Sequence, residues 1–177
     1  MPDVYSAVEL RLLLEEVCAD LCRFEHTIAK NIRPDAINID REAHLGPPGT
    51  FADIRIQPHG KPARFVEVNF GYSNDALLRS LQRKYNVPTA VTRLADGVVL
   101  VVDESGRPDY ASLIAQARAV LHPGLELEVW NETRLKQIIK RQFRVDVDRI
   151  EPDRLLDVRA AIEHAMGRYA FLAAPVQ

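Results

Sequence analysis

Thiols, tryptophan and long apolar runs are scarce in this sequence, and each scarcity excludes something. The 177 residues hold two cysteines, Cys18 and Cys22. They lie four apart in a helical pattern, so no zinc cluster can be assembled from thiolates, and buried thiols in a reducing compartment are the expectation. No uninterrupted apolar run approaches the roughly 20 residues of a membrane span, and Met1-Pro2-Asp3 lacks the basic start of a signal peptide. A cytoplasmic protein with no membrane span is therefore expected. There is no G-x-x-x-x-G-K-[ST] or G-x-G-x-x-G sequence, and Ser73, Ser80, Ser105 and Ser112 stand in no nucleophile-elbow context, which removes support for nucleotide-binding loops and hydrolase triads. His26, His44, His59, His122 and His164 form no close pair. The single tryptophan, Trp130, falls at a strand end and reads as a core anchor, which leaves Tyr72 as the aromatic to expect near a site.

What is present is the composition of an ordinary folded domain: 47% hydrophobic and 27% charged residues, in a chain long enough to bury a substantial core without cross-links. The net charge of -2 is unevenly spread. Residues 51–94 carry seven Lys and Arg (Arg55, Lys61, Arg64, Arg79, Arg83, Lys84, Arg93) against three acids (Asp53, Glu67, Asp75), a local +4 that leaves -6 on the rest. Such a region attracts anions, and a nucleic acid or another anionic ligand is the expected partner there.

Hydrophobic periodicity orders the chain. A capping box at Ser6 and apolar residues at helical spacing predict a first helix over 5–30, which Pro34 stops. Alternation over 36–40, 51–56 and 64–70, broken by Gly46-Pro47-Pro48-Gly49 and Pro58-His59-Gly60, predicts a three-strand meander. A helix over 74–85, a buried strand from Gly97 to Asp103, a helix from Pro108 to Leu121, a strand over 125–130 and a helix capped by Asn131 through Phe143 follow. Two regions result: an α/β domain over 1–143, and a helical appendage or linker over 144–177 with a helix from Pro152 to about Tyr169.

One constellation carries chemistry. If the hairpin turn centres on Gly60, position i faces position 120 - i, so Asp53 lies across from Glu67 on the same face, with Ile54, Ile56, Val66 and Val68 on the opposite, core face. Two opposed carboxylates repel unless a cation or proton lies between them, and at least one raised pKa is expected. Mg²⁺, which binds through one or two carboxylates plus water and phosphate, would fit there.

These features together resemble the restriction-endonuclease-like or PD-(D/E)xK nuclease fold: the first helix, the meander, the Asp on its second strand, the Glu on its third, and the following helix with Gln82 and Tyr85. The resemblance covers about residues 5–143 and implies an α-β-β-β-α-β core with a mixed central sheet flanked by helices. By position it makes Asp53 and Glu67 the metal-binding carboxylates and places Asn69 where the family has its lysine. A first-helix Glu used by some members would be Glu16 or Glu25; Pro34-Asp35 spells "PD" but precedes the first strand. Asn69 can donate a hydrogen bond but carries no charge for an attacking water or a phosphate. Lys84, one helix away, has the reach to take over that role.

The tail from Ala161 to Phe171 resembles a stretch N-terminal to bacterial adenylate/guanylate cyclase domains. That likeness implies a regulatory segment attached to a C-terminal effector domain. Phe51-Ala52-Asp53-Ile54 resembles the metal-holding strand of nucleotide cyclases, yet the rest of the cyclase signature is missing. The sequence thus leads to two alternatives. One is a non-catalytic binding or regulatory signalling module, a pseudoenzyme without cofactor that could pair as a homodimer and control a nucleotide cyclase. The other is a Mg²⁺-dependent nuclease acting on DNA or RNA with a relocated lysine.

Overall fold

The computed structural model describes residues 7–25 and 33–143. Its first helix, α1 (Ala7–Phe24), buries Leu14, Val17, Cys18 and Leu21, the i, i+3, i+4, i+7 stripe of an amphipathic helix. The expected extension to residue 30 falls on residues outside the described set. The helix over 132–143, α4 (Glu132–Phe143), packs with α1, and Glu25 accepts from Arg141 and, at 2.7 Å, from Gln142 Nε2.

Residues Asn38–Asn131 form a compact unit of their own. A five-stranded sheet runs through it in the order β1-β2-β3-β4-β5, comprising β1 (Ile37–His44), β2 (Phe51–Pro58), β3 (Ala63–Val68), β4 (Ala95–Val101) and β5 (Glu126–Trp130). β2 and β3 pair antiparallel, whereas β3, β4 and β5 pair parallel. Parallel neighbours need a crossover, supplied here by α2 (Asn74–Tyr85) between β3 and β4 and by α3 (Tyr110–Val120) between β4 and β5. The chain is thus a mixed α/β fold whose five-stranded sheet is flanked by helices. Among the described residues, no helix is long and apolar enough to cross a membrane.

Local chemistry explains most of these boundaries. The β2–β3 turn places Gly60 at φ 73, a left-handed conformation that glycine adopts without strain. α2 begins where the Ser73 hydroxyl accepts the Ala76 N–H at 3.2 Å, and it buries Leu77, Leu81 and Tyr85 four residues apart. Against them the sheet sets Phe65, Val98, Leu100 and Val102, with Leu113 and Ala117 of α3 completing the cluster. The run Val98 to Val102 is buried throughout and lies between β3 and β5, the interior position its continuous apolarity requires.

Two elements depart from expectation. β1 continues four residues beyond Asp40, through a kink at Glu42 (φ 49) where Arg41 and Glu42 are exposed. As the outermost strand of the sheet it needs no apolar alternation, and its charges and kink discourage pairing with another chain. Conversely, Pro108 does not open α3, which starts at Tyr110. Arg107 instead locks this loop. Its side chain, 8% exposed, donates to Asp103 O (2.8 Å) and Oδ1 (2.9 Å), Asn74 Oδ1 (2.7 Å) and Tyr72 O (2.6 Å), tying the loops after β3 and β4 together. The helix expected at 152–169 and the rest of 144–177 lie outside the described residues.

Candidate functional site

The hairpin register places the two carboxylates. Ile54 pairs with Val66, Arg55 with Phe65 and Ile56 with Arg64, so paired numbers sum to 120 and Asp53 falls across from Glu67. That much follows the sequence reading. The environment does not: the face bearing Glu67 is a core face, because α2 covers it, and Glu67 is only 1% exposed. Strand β3 is therefore buried on both sides, not on the Val66 and Val68 side alone.

Glu67 has two side-chain partners from the last turn of α2. The Tyr85 hydroxyl donates to Oε1 at 2.5 Å, and the Lys84 ammonium donates to Oε2 at 2.9 Å. Residues 84 and 85 are adjacent, so one helical turn presents both donors to one carboxylate. Lys84 itself is 10% exposed and Tyr85 fully buried. Burial is the largest influence on Glu67 and pushes its carboxyl from an ordinary 4.5 up to about 7; the Lys84 charge opposes this, the Asp53 charge adds to it, and the two hydrogen bonds oppose it. Burial and the adjacent Glu67 charge likewise push the Tyr85 phenol well above its ordinary 10.

Asp53, half-buried, turns elsewhere. Its Oδ2 accepts the Val68 backbone N–H at 2.7 Å, bracing the end of β3. Asn69 continues the sheet ladder by donating its N–H to Val101 O at 2.8 Å. It is 2% exposed, and its Nδ2 is a buried donor with no acceptor. Strand alternation puts its side chain on the Glu67 side of the sheet.

The remaining residues singled out from sequence scatter. Gln82 is exposed, Tyr72 is half-buried in the loop after β3 with its carbonyl held by Arg107, and Trp130 is buried with Nε1 donating to Glu128 at 3.0 Å. Glu16 lies on α1, and Glu25, just beyond it, is engaged by Arg141 and Gln142. Of the basic residues, Arg55 pairs with Asp40, Arg64 with Glu128 and Asp96, and Lys84 with Glu67. No spacing in the sequence marks Tyr85 as a donor to Glu67 or Arg107 as a latch, since both roles depend on loops that bring distant segments together.

As a metal centre the arrangement is poor. A divalent cation needs free carboxylate oxygens, yet both Glu67 oxygens are occupied, one by a cation. Among the described residues, no group of three or more His, Cys, Asp or Glu could hold an ion. With both Glu67 oxygens engaged, a divalent cation here would first have to displace Lys84 or Tyr85. No protein-family model matches this sequence, and no curated protein is significantly similar to it.

Proposed function

We propose that this chain is a non-catalytic binding or regulatory module built on a restriction-endonuclease-like core whose former reaction centre has become an internal polar cluster. The order of helix, meander, helix and strand, with β3 antiparallel to β2 and parallel to β4, supports the fold reading. The observation that carries the functional reading is Glu67, buried at 1% exposure with Lys84 and Tyr85 on its two oxygens. A nuclease must offer that carboxylate to a metal and a phosphate, whereas here the chain's own side chains consume it. Asn69, uncharged, offers no compensating cation. Control of a nucleotide cyclase rests on residues 161–171, outside the described set, and is proposed from the sequence alone.

The test is cleavage of plasmid, single-stranded DNA and RNA by the purified chain with millimolar Mg²⁺ or Mn²⁺. No cleavage above buffer is expected, with or without Asp53→Ala. A second reading, a phosphodiesterase with a relocated lysine, is favoured by one contact: the Lys84 ammonium does reach Glu67. Cleavage that disappears in Asp53→Ala, Glu67→Ala and Lys84→Ala would establish that second reading and overturn the first.

A further inference from the structure

Four exposed cations without a carboxylate partner gather at one end of the sheet unit. The parallel pairing of Ala63 with Ala95 sets the residues that precede β3 beside those that precede β4, which brings Lys61 to the side of Arg93 and Leu94. The last turn of α2 carries Arg83 and runs into the loop over 86–94 at this same end. Asn86 Nδ2 donates to Val120 O at 2.8 Å, joining that turn to the end of α3, whose last turn carries Arg118. Lys61, Arg83, Arg93 and Arg118 are all exposed, and none has a carboxylate partner. Of the acids nearby, Asp96 is already held by Arg64, and Glu126 at the start of β5 is exposed.

Among these cations stand the two most exposed large hydrophobic residues among those described, Val87 at 70% and Leu94 at 72%. The loop that bears them is braced. Thr89 N–H donates to Thr92 Oγ1 (2.8 Å), Thr92 N–H to Thr89 Oγ1 (3.0 Å), and Thr89 Oγ1 to Leu45 O (2.9 Å). The aliphatic side chains are thus held out in water by a fixed backbone, at a cost in solvation that a monomer gains nothing from. Helix polarity accounts for cations in the final turns of α2 and α3, but not for Lys61, Arg93 or the two aliphatics.

We propose that this end of the sheet unit, Lys61, Arg83, Arg93 and Arg118 around Val87 and Leu94, is a peripheral docking surface for an anionic lipid bilayer. Clustered cations are drawn to acidic headgroups, and protruding aliphatic tips enter the headgroup and acyl boundary without needing a matching pocket. A nucleic acid would use the cations but not the aliphatics, and the large exposed apolar residues here include no aromatic ring for a base to stack on. The surface goes beyond the reading of the Glu67 cluster and includes none of its residues, so either can fail without the other.

The experiment is co-sedimentation of the whole chain with vesicles of phosphatidylcholine alone, or of phosphatidylcholine with about a third phosphatidylserine. Binding to the phosphatidylserine vesicles only, weakening as salt is raised, is expected. Each cation near the surface contributes about fivefold, so Arg83→Ala with Arg93→Ala should weaken partitioning about 25-fold. Val87→Ser with Leu94→Ser should also weaken it while the circular dichroism spectrum stays unchanged. Equal pelleting with both vesicles, no pelleting with either, or indifference to both double variants would overturn the proposal. So would binding of a duplex DNA or RNA oligonucleotide that the arginine variants abolish and the serine variants leave intact.

Discussion

Replacing Lys84 with Met separates charge from packing at the Glu67 cluster. Methionine keeps most of the aliphatic stem and removes the ammonium 2.9 Å from Glu67. Breaking a buried ion pair ordinarily costs about 3–5 kcal/mol, because a charge is stranded. Here the loss is capped by proton uptake, since Glu67 already titrates at about 7 in the folded chain. Its folded value is raised above the unfolded one, so its contribution to stability is fully present below about pH 4.5 and is lost as pH rises through about 7. That rise amounts to about 3 kcal/mol in the wild-type chain by linkage. In Lys84→Met the carboxyl stays protonated to higher pH, so at about pH 8 the further loss is only about 1 kcal/mol, and near pH 5.5 it approaches zero because Glu67 is protonated in both proteins. Urea unfolding of the two chains at those two pH values measures the difference directly. A loss of about 3 kcal/mol or more that is the same at both would mean that Glu67 is ionised throughout, and would refute the reasoning.

Tyr85→Phe keeps the ring that packs 5.9 Å from Phe65 and deletes the donor to Glu67, so a loss of about 1–3 kcal/mol is expected near pH 8 and a smaller one near pH 5.5, read by the same unfolding curves. Gly97→Ala would place a Cβ 3.0 Å from the Glu126 carbonyl oxygen and 3.5 Å from Arg64 Nε, so β4 and β5 must move apart, lowering the melting temperature by an amount equivalent to about 1–3 kcal/mol. Arg107→Met removes the donor shared by Asp103, Asn74 and Tyr72, so amide exchange at Gly71, whose N–H is held by Asp103 Oδ1, should accelerate well before global unfolding does.

The order of elements was legible in the sequence because each reports on itself: periods of two and near four residues, glycines at turns, and an unbroken apolar run at Val98–Val102. The hairpin register was legible too, since a tight turn at Gly60 and alternating burial leave little freedom to slip, and it sufficed to pair Asp53 with Glu67. What β1 does beyond Asp40 was not, because an outer strand whose hydrogen bonds hold it in place needs no apolar pattern. Nor could spacing say that Glu67 is sealed. A carboxylate on an alternating strand reads as solvent-facing until a helix is laid across it, and only the crossover from β3 to β4 brings Lys84 and Tyr85 onto its two oxygens. Sequence alone determines which residues share a strand face; the packing of α2 on that face decides whether the two acids form an open metal site or a buried, internally neutralised cluster, since burial and neighbouring charge are properties of the assembled fold.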